Sequence, residues 1–166
     1  MNPASNMLEN IQHKTQWILR KYSDDAAYER GEAYEEVVID RNLLLNEGIT
    51  ALANLLTGAA ATAFDNANAY IGVGDSTTAA DAAQTGLQAT TNKLYKAMET
   101  GYPQISGQTI TWRAVFTGTE ANFAWNEFTV ANGNSDAATN LNRRVSAQGT
   151  KASGQTWTVD VQITFS

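Results

Sequence analysis

Residues 157–166 alternate Trp157, Val159, Val161, Ile163 and Phe165 with Thr158, Asp160, Gln162 and Thr164. Successive side chains of a strand point to opposite sides, so this is a strand with an apolar ridge that needs a partner surface and a polar face that should meet water. Residues 109–117 repeat the pattern, with Ile110, Trp112, Ala114 and Phe116 set against Thr111, Arg113, Val115 and Thr117. Residues 123–130 read as a second aromatic-rich strand and 141–147 as another. Residues 118–121 and the run Asn132-Gly133-Asn134-Ser135-Asp136 supply turns. Four such strands, each followed by a turn signal, argue an antiparallel sandwich or a jelly-roll-like barrel.

The first half is more mixed. Residues 13–22 carry β-branched and aromatic side chains, with Trp17 and Leu19 on one side of a strand and Ile18 and Arg20 on the other. A short strand follows at 34–39, joined to the first by a charged connection over 23–31. From Asn42 the period changes. Leu45, Ile49, Leu52 and Leu56 recur at three- and four-residue spacing, with Asn42 as N-cap and Gly58 just past the end, which predicts a helix whose apolar stripe lies on the sheet. Gly48 inside it costs about 1 kcal/mol relative to alanine, and so predicts either a close approach by another element or a later start. Tyr70, Ile71 and Val73 make a short strand ended by Gly74-Asp75-Ser76. The Ala/Thr-rich run 77–91 has one obvious anchor, Leu87, and reads as a surface loop with room for one helical turn. Residues 93–100 form a strand through Leu94, Tyr95 and Met98, followed by turn chemistry at Gly101-Tyr102-Pro103 and Ser106-Gly107. Residues 1–12 carry only isolated Met7, Leu8 and Ile11 and read as an arm. The expected fold is mainly β with one or two helices: an antiparallel β-sandwich or jelly-roll-like barrel over 13–166 as a single β-rich domain, with an extended N-terminal arm over 1–12.

Composition narrows the function. A chain of 166 residues holds one domain with a proper core. With no cysteine it can have neither a disulfide nor a thiolate metal site nor a cysteine nucleophile. Eleven Lys and Arg against 17 Asp and Glu give a net charge of −6, the wrong balance for displacing counterions from phosphates, so nucleic acid is not the expected partner. The apolar-looking run 43–64 is interrupted by Asn46, Glu47, Gly48 and Asn54, which predicts no membrane span. The opening MNPASNMLENIQHK has no apolar core behind basic residues, so a soluble protein made in the cytoplasm is expected.

Candidate chemistry is sparse. The single histidine, His13, has no serine near it in a nucleophile signature. Gly72-Val73-Gly74 begins like a dinucleotide fingerprint, but Thr77 stands where the third glycine belongs and no βαβ unit surrounds it, so it reads as a turn. Glu120 and Glu127 flank Trp125 and could suggest a sugar site with paired carboxylates. Their odd spacing of seven puts them on opposite faces of a continuous strand, and solvated charges beside a core tryptophan explain them more simply. Asp75 and Asp81, or the 132–136 loop, could offer oxygens to calcium, yet neither has the regular Asp/Asn spacing of a dedicated loop, and turn-making accounts for both. Arg143-Arg144 is too short for a phosphate stripe and predicts ion pairs at a strand edge or interface. No catalytic residue, metal site or cofactor is expected.

Four segments together carry a resemblance: NLLLNEGITALANLLTG at 42–58, YIGVGDSTTAADAAQTGLQA at 70–89, TITWRAVFTGTEANFAWNEFTVANG at 109–133 and RRVSAQGTKASGQTWTVDVQITFS at 143–166. The chain resembles a group of tailed-bacteriophage structural proteins in which a helix precedes a YIxxGxxxTxxxxxxTxLxxE segment and a β half. Ala89 stands where that pattern has an acidic residue, and the arm falls outside it. The resemblance implies a non-enzymatic virion component. The leading expectation is a capsid decoration (cement) protein on the outer capsid surface, synthesised in the host cytoplasm, a homotrimer that binds the major capsid protein and reinforces its junctions. In that reading Met7, Leu8 and Ile11 are partner-binding anchors of the arm. The alternative is a tail fibre or tail-associated attachment protein, and a third class is a glycan-cleaving enzyme carried by Glu120 and Glu127.

Overall fold

The structure is a computed structural model and describes residues 12–166. Its strands are β1 (His13–Tyr22), β2 (Glu35–Asp40), β3 (Leu43–Leu44), β4 (Tyr70–Gly74), β5 (Lys93–Ala97), β6 (Gln104–Ser106), β7 (Thr109–Phe116), β8 (Glu127–Ala131), β9 (Asn142–Val145) and β10 (Thr156–Phe165); the helices are α1 (Asp25–Glu29) and α2 (Asn46–Thr57). They form two antiparallel five-stranded sheets, ordered β2-β1-β10-β7-β6 and β3-β9-β8-β4-β5. Each sheet keeps two end strands, so of the two expected closures it is the open sandwich that forms.

The C-terminal strand is central. Trp157, Val159, Val161 and Ile163 lie opposite Phe116, Ala114, Trp112 and Ile110 of β7, and Val161 and Val159 lie opposite Trp17 and Leu19 of β1. This inner face meets Ile71, Val73, Phe128 and Val130 of the second sheet in one buried cluster. Trp125 joins the layers, its ring centroid 4.8 Å from Phe116, 4.9 Å from Trp157 and 6.2 Å from Phe128, all edge-on. Such pairs add roughly 0.5–1.5 kcal/mol each beyond the area they bury.

The other face of β10 departs from expectation. Thr158 and Asp160 are 3% and 2% exposed rather than wet. Asp160 faces Arg113 across the β7 pairing and accepts from its Nε at 2.6 Å and its Nη2 at 2.5 Å, while Arg20 Nη1 donates at 3.0 Å from β1. A strand with neighbours on both sides is covered by their long side chains, and the methylene stems of two arginines shield the polar row.

The helix is also displaced. It starts at Asn46 with Leu45 as its cap residue, and the amide of Asn42 caps nothing. Gly58 ends it in the left-handed conformation, as expected. Of the anticipated stripe Leu45 is buried, but Ile49 and Leu56 are 49% and 89% exposed. The packing face is instead Gly48, Ala51, Leu52 and Leu55. The reason is a backbone contact, since a Cβ on Gly48 would stand 2.3 Å from the carbonyl oxygen of Leu141. The glycine lets helix and loop touch, and that contact sets which side of α2 faces inward.

Smaller corrections have local causes. Asp24 caps the five-residue α1 inside the 23–31 connection by accepting from the Ala27 amide. The expected strand over 123–130 is regular only from Glu127, because 123–126 bends to carry Trp125 inward, and β6 makes a hairpin with β7 across residues 107–108. The 77–91 run contains no helix or strand, and Leu87 anchors it at 3% exposure.

Candidate docking cleft

The residues singled out for chemistry are dispersed, and most are consumed in structural contacts. His13 begins β1, exposed, opposite Phe165. Gly72, Val73 and Gly74 lie inside β4 rather than in a turn. Both glycines there make room for neighbours: a Cβ on Gly72 would stand 2.7 Å from Thr129 Cγ2, and one on Gly74 would stand 2.5 Å from Glu127 Oε1.

That carboxylate is the largest departure from the sequence reading. Glu127 is fully buried, not solvated, and so is Arg143. Arg143 Nε and Nη2 donate to Glu127 Oε2 at 2.9 and 2.7 Å, and the backbone amides of Gln88 and Ala89 complete the carboxylate at 2.9 and 2.8 Å. The remaining guanidinium nitrogen, Nη1, donates to Thr78 O and Gln84 Oε1, both at 2.9 Å. Because β9 lies between β3 and β8, this pair is internal rather than at an edge. It fastens the 77–91 loop onto the second sheet through Thr78, Gln84, Gln88 and Ala89.

Glu120 is not brought to Glu127. It pairs with Lys96 at 2.6 Å and accepts from the amide and hydroxyl of Thr117 at 2.9 and 3.0 Å. Burial by itself raises the Glu120 carboxyl, but the hydrogen bonds from Lys96 and Thr117 outweigh it and hold the group below the usual carboxylate range. Trp125, fully buried, donates its indole N–H to Ala121 O at 2.9 Å and offers no face to a sugar. Lys151 Nζ is closed off by Thr117 O, Glu120 O and Asn122 Oδ1 at 2.8–2.9 Å, bracing the turn that carries Glu120.

Asp75 accepts from Asn92, Asp81 from the Ala83 amide, and Asn132 bonds Thr62 and Thr139. Asp136 holds Lys93 and the Tyr95 hydroxyl; burial first, and then that carboxylate, pushes the Tyr95 phenol well above its ordinary value. Among the described residues no group of three or more His, Cys, Asp or Glu could hold a metal, and no helix is long and apolar enough to cross a membrane. Met7, Leu8 and Ile11 lie outside the described residues.

A site that sequence reasoning missed is an apolar cleft of about 310 Å³ at one end of the sandwich. The pleat builds two of its walls, since Ile110 and Trp112 of β7 share a face with Ile163 and Phe165 of β10, Ile110 lying opposite Ile163. α2 contributes Leu52 and Leu55, and Phe64 closes the floor, its carbonyl accepting from Trp112 Nε1 at 3.0 Å. Ile105 of β6 forms the rim at 76% exposure. A second hollow shares Ile105, Ile110 and Phe165 and extends the apolar surface to Gly107, Gln108 and Ser166. Its lining is apolar but for Asp65, so what the cleft presents is chiefly apolar surface. Its signal in the sequence was faint: Ile105 stands alone between Pro103 and Gly107, outside any periodic run. No protein-family model, curated protein or solved structure matches this chain.

Proposed function

We propose that the chain is a non-enzymatic structural component of a tailed-bacteriophage virion, a decoration protein that binds the outer face of the capsid and reinforces junctions of the major capsid protein as a trimer. The observation that carries this reading is the contrast within the molecule. Its buried charges are matched internally, as in Glu127–Arg143 and Asp160–Arg113, while an apolar cleft stands open at one end. A body of this kind acts by burying area against a neighbour, not by turning over a substrate. The resemblance of four segments to phage structural proteins is what supports a coat protein as that neighbour.

The test is stoichiometry. Quantitative gel densitometry of purified virions should find this protein at a copy number comparable to that of the coat protein. A handful of copies per particle would transfer it to the tail, and absence from the particle would overturn the reading. A decoration role also requires that shells carrying the protein resist heat or chelation better than shells without it.

A further inference from the structure

We infer that the side of the sandwich where the chain passes from β2 to β3 holds a binding site for a small oxyanion, the phosphate or carboxylate group of a ligand, with Arg41 and Arg144 as its cations and Thr15 and Asn42 as its polar partners. The site shares no lining residue with the apolar cleft and does not rest on the virion reading. The first argument is the distribution of charge. Seven of the eleven Lys and Arg pair with carboxylates, and Lys151 is enclosed by oxygens. The other three, Lys14, Arg41 and Arg144, have no ion pair among the described residues, and they line two adjoining hollows that share Asp40 and Arg41. Asp40 is the one carboxylate in either lining, and its Oδ1 accepts from Gln16 Nε2 at 3.0 Å. In a chain of net charge −6, three cations left over in one place make a local positive field.

Register is the second argument. The β1–β2 ladder, continued by one residue, sets Arg41 opposite Thr15, and the Arg41 amide donates to Thr15 O at 3.0 Å. The β3–β9 ladder, continued likewise, sets Asn42 opposite Arg144. Arg144 in turn lies opposite Phe128, whose ring centroid is 5.8 Å from that of Trp17, so its side chain starts from the face of β9 turned toward the first sheet. Arg41 makes the corner between the sheets at a φ of 70°, a left-handed conformation uncommon for a residue with a Cβ. Unmet hydrogen bonding is the third argument. Thr15 is 3% exposed and its Oγ1 has no partner, and neither have the two polar atoms of the Asn42 amide or Arg144 Nε, all of them buried. Trp17 Nε1 and Asn142 Nδ2 add two more unmet donors to the same inward-facing rows. Buried polar groups are almost always hydrogen-bonded, and a cluster in which donors outnumber acceptors, one of them cationic, calls for an acceptor with negative charge. The guanidinium fork of Arg41 and Arg144 matches the geometry of an oxyanion.

Titration of the full chain with sodium phosphate and with sodium succinate, at fixed ionic strength and near-neutral pH, checks this by tryptophan fluorescence and thermal unfolding. At least one anion should bind saturably and raise the unfolding temperature, and the tighter of the two identifies the group as phosphate or carboxylate. Arg144→Met keeps the stem and removes the charge. Arg41→Gly removes the charge and relieves the left-handed strain, so it should fold at least as stably as the native chain. Each should weaken binding about ten-fold or more, the loss of a hydrogen bond to a charged group. Arg30→Ala, which changes net charge equally at an exposed position outside both hollows, should not. No saturable binding of either anion would mean that water meets these donors. Binding undiminished in Arg41→Gly and Arg144→Met, or weakened equally in Arg30→Ala, would reduce the effect to bulk charge. Each of these results overturns the site, and none of them bears on virion copy number.

Discussion

Arg143 and Glu127 are both without solvent exposure, and taking either charge out of water alone would be prohibitive. Their pairing, completed by two backbone amides and two further oxygens, is what permits them to be there. An Arg143→Met variant leaves the carboxylate buried without its partner and should lose about 3–5 kcal/mol in urea unfolding. Adding Glu127→Gln to it should recover part of that loss, because the stranded charge is gone. The sequence led to the expectation of ion pairs for Arg143 but not of its burial, and to that of a solvated Glu127. Arg143 sat beside a second arginine and Glu127 beside aromatic residues, and charged side chains are almost never fully buried unless paired. Glu120 supports a different test. Its carboxyl is held below its ordinary value, so its contribution is complete above pH about 4.5 and disappears as the pH falls through the lowered folded-state value. The stability difference between the native chain and Glu120→Gln should therefore be constant from pH 6 to 8 and shrink under acid; a difference that grew on acidification would contradict the assignment. Half-exposure and salt screening keep the effect small.

At the level of elements, strands with strict alternation were legible and the helix face was not. The β7 and β10 ridges follow from side-chain parity alone, which backbone geometry imposes locally. The stripe of α2 was read from leucine and isoleucine spacing, yet two of its four members point to solvent, because Gly48 against Leu141 turns the helix about its axis. Helix propensity alone would make Gly48→Ala a gain of about 1 kcal/mol. The contact reverses that, and the variant should instead lose about 1–3 kcal/mol in thermal or urea unfolding, the cost of forcing atoms into a filled space. If Gly48→Ala were stabilising, the helix would have to lie farther from the 140–142 loop than its backbone shows. The polar face of β10 teaches the same lesson. Alternation gave its direction correctly, but exposure depended on Arg20 and Arg113 of the flanking strands.

The whole molecule is organised by tryptophans that belong to both layers. Trp17 touches Phe128, and Trp125 touches Phe116, Phe128 and Trp157, so neither sheet can separate without exposing rings that the other covers. Urea unfolding followed by tryptophan fluorescence and by far-ultraviolet circular dichroism should accordingly give one coincident transition. A fluorescence midpoint clearly below the dichroism midpoint would mean that the layers come apart first. The cleft also belongs to this scale, because its walls come from α2, β6, β7, β10 and the segment around Phe64, and no local pattern records that they meet.

The amino-acid order alone determined the β class, the strands whose side chains alternate, the glycine stop of the helix and the lack of cysteine chemistry, because each of these rests on the geometry of residues adjacent in the chain. Which strands are neighbours, which way α2 faces, where Glu127 finds Arg143 and where the apolar cleft opens were decided by tertiary structure. Those features arise from groups distant in sequence, and their energies depend on burial that exists only once the two sheets have closed on each other.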